Sequence, residues 1–260
     1  MTPGNSRRSG ILILEGGDDF RSLGRHVVSR SAIIACGEKW KVIDALQRVS
    51  PGEEQQFLFL VDCDYDVPCE RLQPARNLVL TANVDIESDM LDCGLVSHLL
   101  HELVSPALLS DDRALQQLAS ALLDEAIALA IEIGRFRLVS ARDELGFKFD
   151  GLRLGRLQRG TRIDQQLATV LHQRSTLTVD VGELIKLVAC VPPARNLCHG
   201  KDLLAALAVV MRERFNVPTD DLRSMPRLVR AFFDADALAR WPVVRYIRRW
   251  EIANARRLLR

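Results

Sequence analysis

Three carboxylates at every second position form the strongest chemical signal in the sequence. Asp62, Asp64 and Asp66 follow the apolar run Phe57–Val61 directly. In an extended chain, residues i and i+2 point to the same face, so Asp62 and Asp64 can converge if the strand continues that far. Crowded carboxylates repel one another, and a hard divalent cation with oxygen ligands relieves that repulsion. The pattern therefore indicates a metal site, and the alternative is a charged turn after a strand.

Two further apolar runs are also followed by acidic residues. Glu15 comes directly after Ile11–Leu14. Asp85 and Glu87 come shortly after Leu78–Leu80. Because the carboxyl ends of parallel strands lie at one edge of their sheet, these acids are expected at a common edge, where ligands bind. Acids after three separate strands favour a metal site over the solvation of a single loop.

The elements that must position these acids alternate between strands and helices. Four short runs are continuously apolar, which is typical of strands buried on both faces of a parallel sheet. These runs are Ile11–Leu14, Ala32–Ala35, Phe57–Val61 and Leu78–Leu80. The segment Glu38–Arg48 carries apolar residues at helical spacing. The alternation predicts an α/β fold with a parallel sheet flanked by helices.

After Met90 the sequence becomes mainly helical in character. Leucines recur at helical spacing through residues 90–133, and the chain from about residue 160 onward has a helical pattern interrupted by prolines. Between these segments, Phe136–Leu157 alternates loosely and predicts a small strand pair. We therefore predict an acidic α/β domain over residues 1–130 and an appended, mainly helical, Arg-rich domain over residues 131–260.

The charge changes sign at the same boundary. The chain has 260 residues and a net charge of +1. Residues 1–130 hold 11 Lys and Arg against 20 Asp and Glu, whereas residues 131–260 hold 24 against 14. Of the 35 basic residues, 30 are arginine, the residue best suited to forked contacts with phosphate. This asymmetry favours nucleic acid as a partner of the basic half.

Composition and cysteine usage indicate a cytoplasmic protein. Apolar residues make up 48% of the chain and charged residues 27%, which excludes disorder as the main state. The six cysteines include no C-x-x-C pair, so no structural zinc site is expected. Several lie in apolar runs and resemble buried free thiols of a reducing compartment. No run reaches the roughly 20 apolar residues of a membrane span, so no membrane association is expected.

The segment Cys198–Asp202 opens a helical run with a glycine and a lysine. Backbone amides at a helix N-terminus, together with the Lys201 ammonium group, can bind an anion. This arrangement makes Lys201 a candidate contact for a nucleic-acid phosphate. The alternative is a simple junction between a cap and a helix, with Lys201 exposed to solvent.

The C-terminal residues 240–260 combine arginines with aromatic residues. Arginine neutralises phosphates, and aromatic rings can stack on unpaired bases. The arginines nearest the aromatic residues are the best candidates for contact with a nucleic-acid backbone: Arg245, Arg248 and Arg249. In the alternative, Trp241 and Trp250 pack in the core, and the arginines are solvated or the helix docks on a partner.

In their order along the chain, these motifs resemble the TOPRIM domain. Glu15-Gly16 follows the first strand and Asp62-x-Asp64 follows a later one. That fold is shared by topoisomerases, bacterial primases, recombination mediators and OLD-family nucleases. The chain is similar, more specifically, to a TOPRIM-related family often encoded beside ABC-type ATPases in anti-phage defence, since Thr81…Asp85-x-Glu87 and Gly200-Lys201-Asp202 also match. Gly37-Glu38-Lys39 departs from the Gly-Lys helix start of that family.

The resemblance implies a Mg²⁺- or Mn²⁺-dependent nuclease that cleaves phosphodiester bonds in DNA or RNA. Glu15 would act as general acid/base and also as a ligand of the metal, and Asp62 and Asp64 would hold the cation. Three further acids would complete a second metal shell: Asp66, Asp85 and Glu87. The metal would activate water and stabilise charge on the phosphodiester.

The resemblance also implies a place in antiviral defence. The chain would be a toxic effector restrained by an ABC-type ATPase. A homodimer is a second candidate assembly. Strand passage of the topoisomerase kind is not expected, because neither Tyr65 nor Tyr246 lies in a recognisable topoisomerase context.

Two rival functions follow from the same residues. The first is a non-catalytic TOPRIM-like subunit that binds nucleic acid or a protein partner. The intact set of Glu15, Asp62 and Asp64 argues against it, because an inactive site need not keep its acids. The second is phosphoryl chemistry on a small molecule through a phosphorylated aspartate, which leaves the basic half unexplained. Participation of Lys39 and Lys201 in catalysis is left open.

Overall fold

The structure is a computed structural model, and it describes residues 8–29, 32–72, 75–104, 111–152, 154, 162–174 and 179–260. In chain order the strands are β1 (Arg8–Ser9), β2 (Ile11–Leu14), β3 (Ile33–Ala35), β4 (Phe57–Val61), β5 (Leu78–Leu80) and β6 (Arg256–Arg257). The helices are α1 (Gly17–Leu23), α2 (Lys39–Arg48), α3 (Ile86–Met90), α4 (Val96–Leu103), α5 (Asp112–Arg142), α6 (Ile163–Gln173), α7 (Val181–Ala189), α8 (Gly200–Phe215), α9 (Thr219–Arg223), α10 (Met225–Phe232), α11 (Ala235–Arg240) and α12 (Pro242–Ala253). A π-helical turn, Leu91–Leu95, joins α3 to α4.

The predicted apolar runs form one parallel sheet. Within the described residues, four strands are ordered β3-β2-β4-β5. In the register, Leu14 lies opposite Ala35 on one side and Leu60 on the other, and Val61 lies opposite Leu80. Apart from their first residues, the two central strands are buried on both faces, which explains why their sequences are continuously apolar. The prediction of an α/β fold with a parallel sheet is confirmed.

Contacts divide the chain into two compact units, and both are discontinuous in sequence. The sheet unit consists of residues 1–63, 73–82 and 230–260. The helical unit consists of residues 64–72 and 83–229. This division differs from the predicted boundary near residue 130, which falls inside α5.

Within the sheet unit, the C-terminal segment packs on the sheet and pairs with its N-terminal strand. The short strands β1 and β6 pair in parallel, and α12 packs against β5. Trp250 donates from Nε1 to Asn77 Oδ1 at 3.2 Å. A Cβ at Gly10 would lie 2.8 Å from the Trp250 ring, so the indole packs directly on that backbone. Burial of Trp241 and Trp250 therefore ties the last 31 residues to the sheet.

Within the helical unit, α5 is the longest helix among the described residues. Ile133, Phe136 and Val139 continue its buried stripe at helical spacing, so Phe136 to Arg142 are helical and the predicted strand pair is wrong there. A Cβ at Gly134 would lie 2.1 Å from the Leu197 carbonyl oxygen, which shows how closely the chain crosses α5 at that point. By length and composition, α5 could also cross a membrane, a test that core helices pass as well.

Candidate active site

Two of the predicted catalytic acids follow neighbouring strands of the sheet unit. Glu15 is the residue after β2 and Asp62 is the residue after β4. Since Leu14 lies opposite Leu60, Glu15 is level with Val61, and Asp62 is one register step further along. Both residues are half-buried. The sheet therefore presents Glu15 and Asp62 at its carboxyl edge, as the sequence predicts.

Backbone hydrogen bonds hold the chain on both sides of these acids. The Gly37 amide donates to the Glu15 carbonyl oxygen at 2.7 Å. Gly37 has φ of +93°, a left-handed conformation that favours glycine. On the other side, the Cys63 amide donates to Thr81 Oγ1 at 2.8 Å, and the Thr81 amide donates to the Val61 carbonyl at 3.1 Å. The loops after β3 and β5 thus fix the backbone next to Glu15 and Asp62.

Asp64 and Asp66 belong to the helical unit and lie in a turn. Asp64 has φ of +47°, and its amide donates to the Val84 carbonyl at 2.7 Å. The extended conformation ends before Asp64, so the argument that Asp62 and Asp64 share one face of a strand does not apply. The Asp64–Val84 hydrogen bond instead joins this turn to the loop that carries Asp85.

Asp85 is buried and bonded to two backbone amides of the helical unit. Its Oδ1 accepts from the Ser88 amide at 2.8 Å and caps α3. Its Oδ2 accepts from the Gly200 amide at 2.7 Å and lies 3.1 Å from His199 Nδ1. The Asp85-x-Glu87 and Gly200-Lys201-Asp202 motifs, which are far apart in sequence, therefore meet in one structure.

The Asp85 carboxylate occupies the N-terminus of α8. Gly200 is the first residue of α8, and its amide is the group that Asp85 accepts from. The Lys201 side chain is exposed. This geometry matches the alternative of a cap–helix junction, and the predicted anion contact of Lys201 stays a prediction.

Asp202, the last residue of the Gly-Lys-Asp motif, forms a buried ion pair. Arg137 of α5 donates to Asp202 Oδ2 from Nε at 2.6 Å and to Oδ1 from Nη2 at 3.0 Å. The guanidinium also lies over the Phe149 ring, 4.4 Å from its centroid. No local pattern in the sequence signals the ion pair of Arg137 or the hydrogen bond of Gly37 to Glu15, because the partners are distant along the chain.

The tyrosine inside the Asp-rich motif is part of the core. Tyr65 Oη donates to the Leu197 carbonyl at 3.0 Å. Burial raises the pKa of Tyr65 well above its ordinary value, so the phenol resists deprotonation even at alkaline pH. Burial likewise raises the pKa of the Cys198 thiol to about 11. Neither group has the properties of an activated nucleophile.

The three predicted arginines of α12 differ in their environment. Arg245 and Arg249 are exposed. Arg248 donates to Glu251 Oε2 at 2.8 Å and to the carbonyl oxygens of Leu259 and Arg260 at 3.2 and 2.8 Å. Arg248 therefore stabilises the C-terminal segment of the sheet unit, which leaves Arg245 and Arg249 as the better candidates for a ligand.

Among the residues that the structure describes, no group of three or more His, Cys, Asp or Glu side chains is arranged to hold a metal ion. The six predicted ligands divide between the units, with Glu15 and Asp62 in the sheet unit and Asp64, Asp66, Asp85 and Glu87 in the helical unit. In comparisons with protein-family models, curated proteins and solved structures, nothing matches this chain. The metal site and the TOPRIM resemblance stay predictions.

Proposed function

We propose that this chain is a Mg²⁺- or Mn²⁺-dependent nuclease built on a TOPRIM-like sheet. The observation that carries the proposal is the placement of Glu15 and Asp62 directly after two neighbouring parallel strands. In open parallel sheets, ligands bind at this edge. Carboxylates are the groups that a phosphodiesterase needs there, as metal ligands and as an acid/base.

The charge of the sheet unit supports a polyanionic substrate. This unit holds 17 Lys and Arg against 11 Asp and Glu, a net charge of +6. The helical unit holds 18 against 23, a net charge of −5. Glu15, Asp62 and the Arg-rich tail thus belong to one compact unit, although they lie in opposite halves of the sequence.

The carboxylates at this edge of the sheet suit a hard cation that completes its coordination with water and substrate oxygens. Mg²⁺ is commonly held by one or two carboxylates, with water and substrate phosphates completing its shell. Asp62 would hold such a cation, with Asp64 as the next candidate along the chain. When bound, the cation would supply an activated water and would offset charge on the phosphodiester. Glu15 would take the proton of the attacking water as general base.

A cleavage assay with matched variants tests this proposal. The pure protein is incubated with single- and double-stranded DNA and RNA in Mg²⁺, Mn²⁺ or EDTA. We expect metal-dependent cleavage, a rate ~10²–10⁴-fold lower for Glu15→Gln, and loss of cleavage for Asp62→Asn. The control is Glu53→Gln, which removes an exposed acid of the same unit and should cut like wild type.

Two outcomes would contradict the assignment. A wild-type protein that cuts no substrate in any metal would favour the alternative, a non-catalytic subunit that binds nucleic acid or a partner. Cleavage by the Glu15→Gln variant at the same rate as the wild-type protein would exclude Glu15 from the mechanism. An Asp64→Asn variant tests separately whether the turn residue is needed for cleavage.

The defence role belongs to the same proposal. The resemblance of the motifs suggests an effector that works in the cytoplasm with an ABC-type ATPase. Co-purification of the chain with such an ATPase, and its effect on the cleavage rate, would test that partnership independently of the active-site variants.

A further inference from the structure

The exposed side of α12 combines arginines with an accessible aromatic ring. Val243, Ile247 and Trp250 form the buried stripe of this helix. Arg245 and Arg249 are exposed at positions i and i+4, so they lie on one side, away from that stripe. Tyr246 is 57% exposed, and the Arg249 guanidinium lies over its ring at 5.9 Å from the centroid.

The charge of this segment has almost one sign. Residues 240–260 contain seven arginines and a single acid, Glu251. That acid is buried, and it accepts hydrogen bonds from Arg248 and from the amides of Leu258 and Leu259. Glu251 is therefore paired within the interior of the sheet unit and is not exposed beside the arginines. Such a surface complements a polyanion rather than a protein of mixed charge.

We propose that Tyr246, Arg245 and Arg249 form a binding surface for single-stranded nucleic acid. The arginines contact phosphates, and the Tyr246 ring stacks on an unpaired base. In a duplex, the base faces are covered by their neighbours, so the ring can discriminate single strands from duplexes. The proposal rests on the proposed function, to which it adds the substrate class, and it excludes Arg248 from the contact.

Binding is measured by fluorescence anisotropy with labelled 15-mers of oligo(dT), oligo(U) and a DNA duplex, in EDTA to suppress metal-dependent cleavage. Tyr246→Ala should weaken binding of both single strands by on the order of tenfold, because one base loses its stacking partner. Duplex binding should change by less than about twofold. Tyr246→Trp should restore single-strand binding, since it restores a stacking surface.

The arginines are tested through the salt dependence. Replacing both Arg245 and Arg249 with Ala should weaken binding of every probe. It should also make the decrease of the logarithm of the association constant with log salt less steep. The slope should shrink by ~1.4 for single strands, at ~0.7 per phosphate contact. Ile252→Ala, which changes an exposed uncharged residue of the same helix, is the matched control and should bind like wild type.

Equal losses for duplex and single strand in Tyr246→Ala, or no loss at all, would overturn the proposal. Normal binding combined with an altered oligomeric state of these variants would show a protein interface instead. The two proposals fail separately. If binding depends on Tyr246 but the wild-type protein cleaves no substrate, only the nuclease proposal is contradicted. If the protein cleaves but its binding does not depend on Tyr246, only the proposal of this surface is contradicted.

Discussion

At the scale of single residues, the acids of the sequence motifs lie in two different environments. Glu15 and Asp62 directly follow neighbouring strands and lie half-buried at the carboxyl edge of the sheet. Asp85 instead accepts from the amides of Ser88 and Gly200 and joins α3 to α8. Acids that look alike in the sequence can thus end a strand or cap a helix, and the elements around them decide which.

Gly200 gives a prediction at this scale. A Cβ on Gly200 would lie 2.5 Å from Asp85 Oδ1, 2.6 Å from Glu87 Cβ and 3.0 Å from the Ser88 amide nitrogen. Because one of these atoms is backbone and another is a Cβ, the segment must shift to accept a methyl group. We expect Gly200→Ala to lower the free energy of unfolding by ~1–3 kcal/mol, as overpacking does, measured by urea unfolding.

The control for this prediction is Gly17→Ala. Gly17 is also the first residue of a helix, but a Cβ there would meet nothing within 4 Å. Replacing this glycine should leave stability unchanged or raise it by up to ~1 kcal/mol. Equal destabilisation by both variants would show that the loss at Gly200 comes from the helix position and not from its contact with Asp85.

At the scale of elements, the sheet could be predicted and the turn after it could not. Continuous apolar runs identify β2 to β5, because strands of a parallel sheet are buried on both faces. The acids after these strands are expected at one edge, because the carboxyl ends of parallel strands lie on the same side of their sheet. Where each strand ends depends on tertiary hydrogen bonds such as the one from the Asp64 amide to Val84, and no local pattern records these.

Helix α12 gives a prediction at the element scale. Arg248 bonds to the buried Glu251 and to two carbonyl groups beyond the helix, whereas Arg245 is exposed. Arg248→Ala leaves Glu251 with fewer partners and should lower the free energy of unfolding by ~1–2 kcal/mol. Arg245→Ala should change it by less than ~0.5 kcal/mol. Thermal and urea unfolding of both variants measure the difference.

The two variants should show the opposite order in nucleic-acid binding. Arg245→Ala should weaken binding and Arg248→Ala should not, once each protein is assayed well below its unfolding temperature. Similar stability of the two variants would mean that the Arg248–Glu251 pair contributes little to the fold. In that case, Arg248 would again become a candidate contact for phosphate.

At the scale of the whole molecule, the charge pattern of the sequence does not follow the folded units. Residues 1–130 and 131–260 carry net charges of −9 and +10. In the structure the basic tail joins the sheet unit, which becomes net positive. The sequence could not reveal this, because the tail reaches the sheet through Trp250 on Gly10 and Asn77, contacts that span the length of the chain.

The discontinuity of the sheet unit predicts how fragments behave. A fragment of residues 1–130 keeps β2 to β5 but lacks residues 230–260, which supply β6, α12 and the buried Trp241 and Trp250. It also ends in the middle of α5. Without that burial, the sheet loses the cover that α12 gives to β5 and the pairing partner of β1. We expect this fragment to show no cooperative urea unfolding by circular dichroism, while the full chain does.

Adding a peptide of residues 230–260 should increase its ordered structure, and a scrambled peptide of the same composition should not. Cooperative unfolding of residues 1–130 alone would show that a domain boundary near residue 130 is real and that the tail is dispensable for the sheet.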